Sequence, residues 1–359
     1  MYAIYGLTLV VNHACNLRCA YCYTGDKLRR PMPTAVGRKS IDRALNSITP
    51  GCTLELGFFG GEPLLEAELI RDLVAHARLQ AATRRISLSL SMTTNGTIDT
   101  RAAWEVMLLD DLHLAISHDG LPEVHDRHRQ SIDRQPSSQR VERTLARLLD
   151  CGREFRVVLV VRPDTVAYLA AGIEHLYQLG VRHFDPSLDL WATWNCSDGE
   201  RLETAVNGAA DFWAEHLPDC SVSWFDEKAA TLARVPTSAT ARCGFGHGEI
   251  AVTPAGNLYP CERLVADDAA DNPMRLPGDA LIGDDFLSMP VSAGKYSAEC
   301  TSCTLLATCS TSCRCSNYIR TGDVRRPDRL LCLWDQACHR ATLRALASRG
   351  LVRVAASIT

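Results

Sequence analysis

From residue 5 to about 190, short apolar or β-branched runs alternate with longer helical patterns, and this alternation constrains the fold more than any single residue does. The runs predict strands over 5–11, 53–59, 86–92, 112–117, 155–162 and 181–190. Helices are predicted near 34–48, 64–82, 100–109, 138–151 and 165–179. Strand, crossover and parallel strand repeat in this order, so the units build a parallel sheet, curled into a partial barrel or left open. In either form the chemistry collects at the carboxyl ends of the strands.

The conspicuous motifs lie at those ends. Cys15-Asn16-Leu17-Arg18-Cys19-Ala20-Tyr21-Cys22 follows the first strand and Gly60-Gly61-Glu62-Pro63 the second. Thr94-Asn95-Gly96 follows the third and Ser117-His118-Asp119-Gly120 the fourth, so four loops on one rim make one site. Three thiolates in one loop can hold three irons of a cubane cluster and leave the fourth iron open to a small chelating molecule. A zinc site would ask for a fourth protein ligand, and the next cysteine, Cys52, lies thirty residues on, beyond a helix.

A net charge of -4 with scattered basic residues gives no electrostatic case for nucleic acid or an anionic membrane. The apolar start over 1–11 lacks a basic flank, and no run of eighteen apolar residues occurs, so a soluble, cytoplasmic chain is expected. A chain of 359 residues has core enough without disulfide staples, so its sixteen cysteines, clustered without a signal peptide, read as metal thiolates.

Beyond a helical stretch near 200–217 the alternation stops. Residues 249–259 alternate around Pro254-Ala255-Gly256, a hairpin signal, and 335–347 reads as a closing helix. The cysteines run Cys243, then Gly256-Asn257-Leu258-Tyr259-Pro260-Cys261, then Cys300-x2-Cys303-x5-Cys309-x3-Cys313, then Cys332. Read alone, such pairs also suit zinc.

Together with the N-terminal run, this pattern resembles radical S-adenosylmethionine (SAM) enzymes with a C-terminal SPASM domain. The resemblance implies an α/β fold: a partial (β/α)6 TIM-like barrel over 1–225 and a cysteine-rich iron-sulfur (SPASM) domain over 226–359. It implies SAM and three 4Fe-4S clusters as cofactors. Cys15, Cys19 and Cys22 would hold the SAM-binding cluster, whose electron cleaves SAM to a 5'-deoxyadenosyl radical. Cys300, Cys303, Cys309 and Cys332 would hold an outer auxiliary cluster, and Cys243, Cys261 and Cys313 an inner one. The inner cluster lacks an obvious fourth ligand. His247 could supply it, the iron could be open, or Gly244 to Glu249 could be a plain glycine-rich turn. Separately, Cys315 and Cys338 stand close enough to the two clusters to be alternates for their ligands, though neither is the first choice.

By the same resemblance Gly60 and Gly61 let backbone approach the ligand, and Glu62 accepts from the SAM amino group. Tyr21 packs near the adenine, Ser117 reaches the ribose or carboxylate, Asn95 contacts the ribose, and Arg129 clamps the carboxylate. Glu262, after Cys261, is placed like the acidic base of sulfatase maturases, which carry Asp there. Trp191 and Trp194 could line the substrate cavity, while Cys52 and Cys151 read as small buried apolar residues.

The implied activity is radical maturation of a peptide or protein, first a carbon-carbon or thioether crosslink in a ribosomal peptide. Formylglycine formation in sulfatases, or radical dehydrogenation or epimerisation of a sugar or alcohol, remain alternatives. The electron donor would be of flavodoxin or ferredoxin type. Only fourteen residues precede Cys15, so a leader-binding element would come from a separate protein or be unnecessary.

Overall fold

The computed structural model describes residues 1–233, 244–288, 298–306, 309 and 313–351. Its centre is a nine-stranded sheet with six strands in sequence order: β1 (Tyr2–Asn12), β2 (Ile48–Gly60), β3 (Ser87–Thr94), β4 (Leu112–Ser117), β5 (Arg156–Val161) and β6 (His183–Leu188). All five pairings among them are parallel. Helices α1 (Thr34–Asn46), α2 (Ala67–Arg84), α3 (Arg101–Met107), α4 (Pro122–His128), α5 (Ser138–Asp150) and α6 (Leu169–Gln178) fill the crossovers, as expected of a partial (β/α)6 barrel. Helix α4 is the one element of this half that the sequence reading left as loop. Its seven residues carry two histidines and begin with a proline at N1.

The residues of β1 alternate between two apolar environments. Tyr5, Leu7, Leu9 and Val11 join the main core with Ile41, Ile70 and Leu73 of the helices. Val10 lies in a separate cluster with Ala251, Tyr259 and Val265. Burial on both faces is why the parallel strands read as near-continuous apolar runs.

After β6 come α7 (Cys196–Glu215), the two-residue β7 (Ser221–Val222) beside β6, and α8 (Ser223–Leu232). The division expected between 225 and 226 falls inside α8. The hairpin read at 249–259 is β8 (Glu249–Val252) and β9 (Leu258–Tyr259), paired antiparallel. Strand β8 also pairs parallel with β1, so the hairpin extends the barrel sheet past its first strand. Short helices α9 (Ala298–Thr301) and α10 (Arg314–Thr321) precede α11 (Arg329–Ser348), a longer closing helix than 335–347. A buried pair, Lys228 Nζ to Asp335 Oδ1 at 2.6 Å, ties α8 to α11.

Two further contacts seat the C-terminal third on the barrel. Arg43 of α1 stacks over Phe286 at 4.0 Å and donates to the carbonyls of Asp279, Ala280 and Asp285. Arg320 of α10 donates to the carbonyls of Leu190 and Ala192 in the loop after β6. That second contact holds the cysteine-rich segment against the mouth of the barrel.

Candidate active site

The loop after β1 is pinned to the chain after α4: Arg18 N–H donates to Gln130 O (2.7 Å) and Ala20 N–H to His128 O (2.9 Å). The segment that holds the cysteine loop in place therefore also delivers Arg129. The turn after β2 packs on the other side, with Glu62 N–H donating to Ala14 O at 2.8 Å. There the glycine requirement is steric. A Cβ on Gly61 would lie 2.2 Å from Ala14 O, and one on Gly60, at φ +152°, 2.5 Å from Asn12 O. The close approach seen is to the cysteine loop's own backbone, where only glycine fits.

These loops enclose a cavity of about 190 Å³ at the carboxyl ends of the strands, lined by Cys15, Cys19, Cys22, Glu62, Ser117 and Arg129 among others. Each polar group has a traceable setting. The Glu62 carboxylate is fully buried and accepts from Leu64 N–H (3.0 Å), Thr94 Oγ1 (2.6 Å) and Asn95 N–H (2.7 Å). Burial pushes its carboxyl up against the pull of those bonds. A carboxylate offers about four acceptor positions, so one remains for a ligand's donor.

Arg129 and Asp119 form a buried pair, Nε to Oδ2 at 3.1 Å. Tyr21 O–H donates to the same Oδ2 at 2.5 Å, while Val160 N–H donates to Oδ1 at 3.0 Å. Burial pushes the Tyr21 hydroxyl well above its ordinary range, with Arg129 pulling the other way and Asp119 adding to the rise. The Arg129 guanidinium lies 5.3 Å over the Tyr21 ring, and among the described residues it spends only Nε. Its two terminal nitrogens are left for a planar anion such as a carboxylate.

Asn95 borders the cavity, but its amide serves the cysteine loop. Nδ2 donates to Asn16 Oδ1 (2.9 Å) and approaches Cys15 Sγ (3.7 Å), and Oδ1 accepts from Thr97. The thiols differ among themselves. Burial raises Cys15 and pushes Cys19 up to about 12. Burial would raise Cys22 too, but the Lys27 ammonium at 2.9 Å and the Thr24 hydroxyl outweigh it, and its thiol titrates below the ordinary range.

On the substrate side, Trp191 stacks on Tyr23 at 4.4 Å, and both line the cavity. Trp194 is not a lining residue; its Nε1 donates to Asp189 O. Arg263, which the sequence reading did not single out, lines the cavity, whereas Glu262 faces a small adjoining one with Asn12, His13 and Thr24. The signal for Arg263 was its place two residues after Cys261 at the end of a hairpin, which was read only for the carboxylate.

Of the auxiliary cysteines, Cys243 lies outside the described residues. Cys261 and Cys313 come together, joined by Cys315, whose Sγ is 3.3 Å from that of Cys313. Cys300 and Cys309 lie near enough to Cys332 to add to the rise that burial gives it, to about 11, and Cys303 is exposed on the same turn. Cys52 is half-buried against the core, but Cys151 is exposed, because α5 ends there and turns it to solvent. His247 keeps its Nδ1 3.3 Å from the Tyr2 hydroxyl.

Among the described residues no three potential ligands surround an ion-sized centre. The site's chemistry fits the group the pattern implies: three thiols on one loop border a cavity holding a buried carboxylate and a buried guanidinium. That pair suits the amino and carboxylate ends of an amino-acid ligand.

Residues 9–175 match the family model described as the Radical SAM superfamily. The chain carries a radical SAM domain over those residues. It is 25% identical over 272 residues to a cysteine-type anaerobic sulfatase-maturating enzyme of Clostridium novyi (strain NT), covering 71% of this chain and 72% of that one. It is 24% identical over 387 residues to a PqqA peptide cyclase of Streptomyces rochei, covering 97% and 93%. Its fold resembles the solved structure of native anSMEcpe with bound AdoMet, with a TM-score of 0.77 at 18% identity over 96% of this chain and 97% of the other.

Proposed function

We propose that this enzyme oxidatively modifies a peptide or protein, with a carbon-carbon or thioether crosslink as the product. The observation that carries this reading is the cavity itself. On one wall it offers the Cys15, Cys19 and Cys22 loop with Glu62 and Arg129; on the other, Tyr23, Trp191 and Arg263 lead toward the auxiliary cysteines. When bound, a cluster on Cys15, Cys19 and Cys22 with SAM would supply reductive SAM cleavage and hydrogen-atom abstraction.

The chain's own residues position the reactants. Glu62 would accept from the ligand's amino group through its remaining acceptor position, and the free Arg129 nitrogens would grip its carboxylate. Ser117 and the Tyr21 ring border the space left for the nucleoside. Crosslinking removes two hydrogens from the substrate: bound SAM would supply the acceptor for one as an atom, and an auxiliary cluster on the C-terminal cysteines would supply the acceptor for the electron of the other, which would leave as a proton. Glu262, in the adjoining cavity, is the carboxylate offered for that proton. The electron that starts each turnover would come from a flavodoxin- or ferredoxin-type donor, and a separate protein would present any leader peptide. Two auxiliary clusters, on Cys243, Cys261 and Cys313 and on Cys300, Cys303, Cys309 and Cys332, belong to this reading, as does a cytoplasmic setting. Among the described residues no helix is long and apolar enough to cross a membrane.

Formylglycine formation is the second reading, favoured by the similarity to the sulfatase-maturating enzyme over 71% of the chain. Both are tested by incubating the anaerobically reconstituted protein with SAM, dithionite and short peptides rich in Cys and Ser. Loss of two hydrogens, with no fragment ions between the joined residues, supports crosslinking. An aldehyde trapped by a hydrazine supports formylglycine. Deuterium transfer to 5'-deoxyadenosine from labelled sugar alcohols, and from no peptide, would overturn both.

A further inference from the structure

We infer that Cys315 is the fourth protein ligand of the inner auxiliary cluster, an inference that rests on the presence of that cluster in the proposed function. The sequence pattern supplies Cys243, Cys261 and Cys313 and leaves the fourth position open. Cys315 is the cysteine that the fold brings to that position. Its Sγ lies 3.3 Å from Cys313 Sγ and within hydrogen-bonding reach of the Cys261 thiol. Cys261 and Cys315 are 6% and 2% exposed and share an apolar cluster with Phe245 and Leu264, with Cys313 packed against it.

This is an uncommon way to place three thiols. They are free rather than disulfide-bonded. A single thiol in such a cluster would serve as a small apolar side chain, but Cys315 touches both of the others and so links two soft donors that the sequence pattern already assigns to one cluster. Their placement on the chain suits ligation as well. Cys313 is the N-cap residue of α10 and Cys315 lies in its first turn, so one short stretch of backbone fixes both side chains relative to each other. Ser316 Oγ donates to Cys313 Sγ at 3.2 Å, an outer hydrogen bond of the kind that tunes a metal-bound sulfur.

The rivals are placed elsewhere. Cys338 is buried in α11 as part of the main core, close to Lys228 and Asp335. His247 is directed at Tyr2. Arg263 completes the case, because its charge lies near Cys261, Cys313 and Cys315 and would offset the negative charge of a thiolate-bound cluster.

The test compares the reconstituted full chain with Cys315→Ala, Cys315→Ser and His247→Ala by iron and sulfide analysis and by Mössbauer and EPR spectra of the reduced proteins. Uncoupled SAM cleavage at the N-terminal cluster reports whether each variant is folded. Cys315→Ala is expected to fall from about twelve to about eight irons per chain. Cys315→Ser should keep more iron but change the inner cluster's spectrum, because an alkoxide replaces a thiolate. His247→Ala should match the parent protein. Parent-like iron and spectra in both Cys315 variants, or a change confined to His247→Ala, would overturn the assignment. If the parent protein itself holds about four irons, or zinc in its C-terminal third, the auxiliary-cluster reading fails instead.

Discussion

Replacing Asp119 by Ala removes the acceptor around which one wall of the cavity is built. Its carboxylate is 1% exposed and accepts from the Arg129 guanidinium, the Tyr21 hydroxyl and the Val160 amide. Stranding a buried charge by deleting its partner costs about 3–5 kcal/mol. A buried N–H and O–H left without an acceptor add about 1–3 kcal/mol, and these costs overlap because Arg129 and Tyr21 share one oxygen. We therefore expect a loss of about 4–6 kcal/mol, a large part of the roughly 5–15 kcal/mol of a typical native state. Anaerobic urea unfolding followed by tryptophan fluorescence measures it. The double variant Asp119→Ala, Arg129→Met should be less destabilised than the two single losses added together, by about 2–3 kcal/mol. A loss below about 1 kcal/mol for Asp119→Ala, or strict additivity in the cycle, would refute the reasoning.

In metal-free protein Cys22 should be alkylated by iodoacetamide at lower pH than Cys15 or Cys19, and Lys27→Met should remove most of that advantage; mass spectrometry of the labelled peptides reads it. Gly61→Ala should abolish SAM cleavage and lower cluster occupancy, since its Cβ meets the Ala14 carbonyl, a backbone atom that cannot move without shifting the cysteine loop. His118 and His125 are held neutral, chiefly by burial, with pKa values well below the ordinary one. The unfolded chain binds those protons first, so stability is full above about pH 6.5 and falls below it, by up to about 2.7 kcal/mol per pH unit for the pair. A urea midpoint that stays flat between about pH 7 and 5.5 would contradict this.

The order of the six strands and the motif at each strand end were legible because parallel strands buried on both faces leave apolar runs, and turn residues punctuate them. The same local signals missed α4, since seven residues rich in charged and His side chains have no apolar period long enough to read. They also missed the pairing of β8 with β1, which joins residues about 240 apart and leaves no local trace. Cysteine spacing named the ligand candidates on one chain segment at a time. It could not show that Cys315 folds back against Cys261, or that Asn95 is committed to Asn16 and Thr97, because those are facts of packing. Nor could it tell Glu262 from Arg263, neighbours that the three-residue turn after Cys261 sends to different cavities.

The most direct test of the central claim is reductive SAM cleavage by the anaerobically reconstituted chain, compared with the variant carrying Ala at Cys15, Cys19 and Cys22. The account predicts 5'-deoxyadenosine from the parent protein and none from the variant, which should lose about four irons and keep those bound in the C-terminal third. Cleavage that persists in the variant, or a parent protein that binds iron yet leaves SAM intact under reduction, would contradict it.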